Sequence, residues 1–268
     1  MTSTGQEKTM DADLDFNGKT ILVTGSGRNI GRAIISEFAS RGANVVINAR
    51  DTETDREEAE AVRAEAEKHG VGALVVLGNA ADRATVERLR TESERAFTRV
   101  DMYVSNAMHR MYRESFFDTT DDDWNYYLNQ QLTASWYLAK AFVPGMQDAG
   151  WGRIIHMNGP NAWTGSWAAI PIASGKAGLH ALTKSLASGL SQYGITVNDV
   201  NPGYVDVVRD SGLDDSAGMR ERAAQAMAIK RVISPEEIAW TCAYLCSPRS
   251  GAVTGTVIDV DGGRPAAH

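Results

Sequence analysis

The feature that most constrains this chain is a rhythm. Short apolar, β-branched runs alternate with stretches of helical periodicity from Lys19 to Val260. "KTILVTGSG" breaks into glycines and gives way to "NIGRAIISEFASRG". "ANVVINAR" is followed by "TETDREEAEAVRAEAEKHG", and "ALVVLGNA" by "RATVERLRTESERAF". "VDMYVSNA" precedes a long helical stretch, "TDDDWNYYLNQQLTASWYLAKAFVPGMQDAG", with Thr120 or a following aspartate at its N-cap. The second half repeats the pattern with "GRIIHMN", "SGKAGLHALTKSLASGLSQYG", "ITVNDVNPG", "PEEIAWTCAYLCS" and "GTVIDVDGG". Strands that alternate with helices pair in parallel, through right-handed crossovers, and carry helices on both faces. Runs such as "ILV" and "VVI" are apolar on both sides, as a doubly covered sheet requires.

The expected fold is therefore α/β: one doubly wound, Rossmann-type parallel sheet of about seven strands with helices on both faces. No linker or repeat interrupts residues 16–268, which are expected to form one domain. Residues 1–15, "MTSTGQEKTMDADLD", are polar and acidic with no apolar core, and are expected to form a flexible tail rather than a secretory leader. The rhythm breaks over 205–230; a segment there follows strand six, over the carboxyl ends of the strands, and is expected to act as a lid.

Composition removes several classes of function. The net charge is −7, with no cluster of Lys and Arg long enough to meet a duplex, so no nucleic-acid partner is expected. No apolar run approaches a membrane span. Cys242 and Cys246 lie four apart on a helical stretch, without nearby histidines, and read as small core residues rather than a metal site. A cytoplasmic location is expected.

"TGSGRNIG", Thr24 to Gly31, lies between the first strand and the first helix. Glycines there let the backbone approach a pyrophosphate, and the helix N-terminus supplies donors and partial positive charge. With "VSNA" after strand four, "NPG" after strand six and "VTGTVIDVDGG" at the end, the chain resembles the short-chain dehydrogenase/reductase family over nearly its whole length. The resemblance implies a nicotinamide dinucleotide, held by Gly25, Arg28, Asn29, Ile30, Gly31, Arg50, Asn79, Asn106 and Lys176. Asn48 stands where an acidic residue would select NAD. Arg28 and Arg50 could together take a 2′-phosphate, so NADP(H) is the expected form if a dinucleotide binds.

The chain also departs from the family's pattern. Asn29 replaces a glycine of the turn, a mild change because asparagine tolerates left-handed backbone. Met108 replaces a glycine beside the expected cofactor path. Val207 stands where the family holds the carboxamide, and has no side-chain hydrogen bond to offer. The family's catalytic serine, tyrosine and asparagine align with Gly159, Ile172 and Gln131; only Lys176 is retained. Tyr204 and His109 are candidate substitutes as proton donor, while His156 reads as a core residue. Met108, Met111, Met157, Trp163 and Trp167 would give the crevice an apolar, aromatic lining suited to a hydrophobic small molecule.

A positioned general acid or base is worth about 10²–10⁴-fold in rate, so these replacements weigh heavily. The expectation drawn from them is a non-catalytic subunit partnering an active, related dehydrogenase in a homo- or hetero-oligomer. Its assembly would use residues 120–149 and 174–193. Two rivals stand beside it. One is an atypical NADP(H)-dependent oxidoreductase, or a non-redox enzyme, with a rebuilt site for a hydrophobic carbonyl or alcohol. The other is a nucleotide or ligand sensor.

Overall fold

The computed structural model describes residues 14–108, 115–208 and 217–263. Seven strands form a single sheet: β1 (Thr20–Val23), β2 (Asn44–Ala49), β3 (Ala73–Leu77), β4 (Met102–Ser105), β5 (Gly152–Met157), β6 (Ile195–Pro202) and β7 (Val257–Val260). Their order is β3-β2-β1-β4-β5-β6-β7, and every pairing is parallel. The order reverses between β1 and β4. Doubly wound sheets open a crevice at such a reversal, outside the carboxyl ends of the strands.

Helices cover both faces. Alternation along the strands sends Ile21, Val23, Val45 and Ile47 to one side, where they pack with α1 (Asn29–Ser40), α2 (Glu53–Glu67) and α9 (Pro235–Cys246). Leu22, Val46, Tyr103 and Ile154 face the other side, against α3 (Arg83–Phe97), α5 (Ala134–Ala149) and α7 (Ile170–Leu190). Cys242 and Cys246 are fully buried in the first of these cores, as the sequence implies. Among the described residues no helix is long and apolar enough to cross a membrane.

The long helical stretch after β4 is not uniform. It starts at α4 (Asp121–Leu128), where Thr120 and Asp123 form a reciprocal capping box. It then widens into a π-helical turn at Asn129–Thr133 before continuing as α5. Periodicity alone did not reveal this turn, because one extra residue barely disturbs an apolar stripe. After β5 the chain makes a short helix, α6 (Asn161–Thr164), and α7 then starts at Ile170, four residues before the serine at which the sequence pattern placed it. Pro171, in the first turn of α7, suits that start because its missing N–H is unsatisfied there anyway. Within the expected lid, the structure describes α8 (Ala217–Ala226) and a parallel bridge between Val205 and Ile233.

Candidate active site

The chain leaves β1 at Val23 and turns sharply into α1. Gly25 has φ +63°, and a Cβ added there would lie 2.8 Å from the Ala107 Cα. At Gly31 an added Cβ would lie 2.3 Å from the Gly25 carbonyl oxygen. Neither position has room for a side chain. The end of β4 braces the turn: the Thr24 hydroxyl accepts from the Asn106 and Ala107 backbone N–H groups at 2.9 and 3.0 Å. The Asn106 amide donates to the carbonyls of Thr24 and Gly25 at 2.9 and 3.0 Å. Asn29 takes the left-handed conformation, φ 55°, that its glycine-like position demands.

Over this turn lies a cleft of about 620 Å³. Gly25, Arg28, Asn29, Ile30, Gly31, Arg50, Asn79 and Asn106 all line it, together with Met108 and Val207. Eight of the nine residues singled out for a dinucleotide thus surround one cavity. The ninth, Lys176, lies buried on α7, and its amine donates to the Met157 carbonyl at the end of β5.

The arginines do not stand alone. Arg50 Nε lies 3.0 Å from Asp55, and Arg28 Nε lies 3.9 Å from Glu58. Burial works to raise the Asp55 pKa, but the Thr52 hydroxyl and Arg50 together hold that carboxyl below its usual range. Both acids line the cleft, and the sequence reading missed them, although "DTETDREE" opens the helix directly after β2. Asn48 cannot act as the missing acid. Its amide donates to the Val76 and Gly78 carbonyls at 3.0 and 3.1 Å and is committed to the sheet edge.

At the other end, the residues in the serine and tyrosine positions have no polar side-chain atom, and they sit in different surroundings. A Cβ added to Gly159 meets nothing within 4 Å. Ile172 is buried in a small cluster with Tyr127 and Ala169. The Gln131 side chain sits in the π turn, within 3.6 Å of where a Gly175 Cβ would be, and its amide atoms are shielded with no hydrogen-bond partner among the described residues. Tyr204 packs its ring against the core on the α1 face, and its hydroxyl is shielded from solvent. His109 and Met111 lie outside the described residues. His156 is a fully buried core residue, its Nδ1 2.7 Å from the Thr183 hydroxyl. Burial pushes its pKa down to about 4; Asp199 opposes that shift and Lys176 adds to it. Among the described residues no group of His, Cys, Asp and Glu could hold a metal ion.

The family model described as enoyl-(acyl carrier protein) reductase matches residues 25–264. The chain is a short-chain dehydrogenase/reductase. Within that family it is 33% identical to the 3-oxoacyl-[acyl-carrier-protein] reductase FabG of Aquifex aeolicus over 253 residues, 94% of this chain and 99% of that one. Two solved structures of such dehydrogenases and reductases show how far the fold is shared. One is L-sorbose reductase from Gluconobacter frateurii complexed with NADPH and L-sorbose: TM-score 0.85, 32% identity, 94% of this chain and 98% of that one. The other is a gluconate 5-dehydrogenase from Burkholderia cenocepacia in complex with NADP and tartrate: TM-score 0.87, 26% identity, 97% and 100% of the two chains.

These matches overturn the expectation of a non-catalytic subunit. Proteins that align with this short-chain dehydrogenase/reductase from end to end are named as reductases and dehydrogenases in their own right. That expectation gave four substituted positions, Gly159, Ile172, Gln131 and Val207, the weight of the whole site. The cleft above the glycine turn is nonetheless present, with Val207 on its lining.

Proposed function

We propose that the chain is an NADP(H)-dependent oxidoreductase acting on a carbonyl or alcohol group, with proton exchange that does not use the family's tyrosine position. The observation that carries this reading is the cleft. A glycine turn with no room for a Cβ at Gly25 or Gly31 opens onto a helix N-terminus, and Arg28 and Arg50 line the same cleft. Such a cradle suits a dinucleotide pyrophosphate, because any side chain at Gly31 would fill the space the backbone needs.

In this reading Gly25, Asn29, Ile30 and Gly31 bind the pyrophosphate, Arg28 and Arg50 the 2′-phosphate, Asn79 the adenine and Lys176 the nicotinamide ribose. The bound cofactor supplies hydride transfer. The chain's own residues bind and orient. Isoleucine at position 172 and glycine at 159 exchange no proton, so the substrate oxygen gains or loses its proton through solvent. Exposed rings of Phe116, Phe117 and Trp167, with centroids 5.4–6.1 Å apart, flank this end of α7 and favour an apolar substrate.

The test is NADPH oxidation by the purified chain across aliphatic and aromatic ketones and aldehydes, with Lys176→Met alongside. The reading predicts turnover that Lys176→Met lowers at least tenfold. No oxidation of NADPH above the protein-free rate with any of these carbonyls contradicts it.

A further inference from the structure

We propose that Asp199 is a positioning residue of this site: acting through Asn158, it sets the places of Lys176 and Gly159. The inference rests on the NADP(H) reading above and gives a role to Asp199 and Asn158, to which that reading assigns none.

Asp199 is fully buried on β6, the one ionisable side chain of a strand whose other buried polar residues, Thr196, Asn198 and Asn201, carry no charge. A buried carboxylate is costly unless several donors meet it. Three do. Its Oδ2 accepts from Asn158 Nδ2 at 2.9 Å and from His180 Nδ1 at 2.8 Å. Its Oδ1 accepts from the Thr183 hydroxyl at 2.5 Å. Because the Thr183 proton goes to Asp199, the 2.7 Å contact between Thr183 and His156 has the imidazole as donor. Each group around the carboxylate is therefore fixed in one donor–acceptor sense.

That polarity has a consequence for Asn158. A side-chain amide can present either its oxygen or its nitrogen to a neighbour, and the surrounding bonds decide which. An ionised carboxylate accepts only, so it forces the nitrogen inward. The Asn158 oxygen is thereby turned to the backbone N–H of Gly159, which donates to it at 2.9 Å. The same nitrogen also reaches the Lys176 carbonyl at 3.3 Å. One residue earlier, the Met157 carbonyl accepts from the Lys176 amine. The Met157–Asn158 pair thus grips Lys176 by both its side chain and its main chain, and Asp199 holds the grip in one orientation. A merely structural strand residue at this position would need no charge.

The experiment is a fluorescence titration of the full chain with NADPH, paired with adenosine 2′,5′-bisphosphate, which carries the phosphorylated adenosine end and lacks the nicotinamide ribose. Asp199→Asn keeps the volume, removes the charge and turns one of the two acceptor oxygens into a donor, so the Asn158 amide is no longer held in a single orientation. The expected result is NADPH affinity about tenfold weaker, with a smaller blue shift of its emission, and affinity for the bisphosphate unchanged within about twofold. Asn158→Ala should reproduce the loss, and the double variant should be no worse than either single one. Thr183→Val, which removes a donor to Asp199 but leaves Asn158 in place, should bind both ligands as the natural chain does.

The proposal is overturned if Asp199→Asn and Asn158→Ala bind NADPH normally, or lose both ligands equally, or if Thr183→Val matches them. If Asp199→Asn does not fold, the Asn158→Ala comparison decides. A natural chain that binds the bisphosphate but not NADPH, or neither, removes the cofactor reading itself and this inference with it.

Discussion

Asn29 and Val208 hold each other across the cleft. The Asn29 amide nitrogen donates to the Val208 carbonyl at 2.9 Å, and its oxygen accepts the Val208 N–H at 3.0 Å. Both residues line the cavity, one on the glycine turn and the other on the loop after β6. A glycine at position 29 would suit the left-handed backbone better but could not make this clasp. Two exposed hydrogen bonds of about 0.5–1.5 kcal/mol each are at stake, offset in part by the strain that glycine would relieve at positive φ. Asn29→Gly should therefore raise the NADPH dissociation rate several-fold, read by stopped-flow displacement, with little change in thermal midpoint.

Arg50 is expected to separate the two forms of the cofactor. It is more than half exposed and is shared with Asp55, so a 2′-phosphate must compete with that carboxylate. Charge-assisted hydrogen bonds contribute about 1.5–3 kcal/mol, a factor of roughly tenfold or more in affinity. Arg50→Ala should weaken NADPH binding about tenfold and leave NADH binding nearly unchanged. Equal loss for both would show that Arg50 does not meet the 2′-phosphate.

Gly159 and Ile172 stand in positions that the family uses together, yet they should respond differently to restoration. The open space around Gly159 predicts that Gly159→Ser folds with stability within about 0.5 kcal/mol of the natural chain. Ile172 fills its pocket against Tyr127 and Ala169, so Ile172→Tyr should cost about 1–3 kcal/mol by overpacking. Denaturant melts of the two variants measure both effects.

His156 makes stability depend on pH. Burial holds it neutral, with its pKa lowered to about 4 from 6.5. Between these values the unfolded chain binds the proton and the folded chain does not, so the unfolded state gains as pH falls. Stability from this group is complete above about pH 6.5 and declines toward pH 4, by on the order of 3 kcal/mol. His156→Asn should flatten that part of a urea-midpoint profile; an unchanged slope would place the titrating group elsewhere.

Much of this was legible in the sequence, for identifiable reasons. Strand–helix alternation is a local pattern, so the sheet and its covering helices followed from runs such as "ILVTG" and "VVINA". The glycine turn was legible because the same few residues form the strand end, the turn and the helix start. Asp55 and Glu58 were missed because a charged helix face ordinarily faces only water. Asp199 carried one signal, a lone acid inside the strand-like run "ITVNDVNPG". Its partners Asn158, His180 and Thr183 lie 41, 19 and 16 residues away and meet only when β5, β6 and α7 pack. Reading the substitutions at Gly159, Ile172, Gln131 and Val207 as the loss of function was the larger error, since the cleft is present despite them.

The measurement that tests the central claim most directly is the affinity of the purified natural chain for NADPH and NADH, set beside Gly31→Ala. A Cβ at position 31 collides with the turn's own backbone, so that variant should lose dinucleotide binding outright. The account predicts saturable binding by the natural chain, tighter for NADPH than for NADH, and none by Gly31→Ala. Absence of binding by the natural chain, or equal binding by Gly31→Ala, would contradict it.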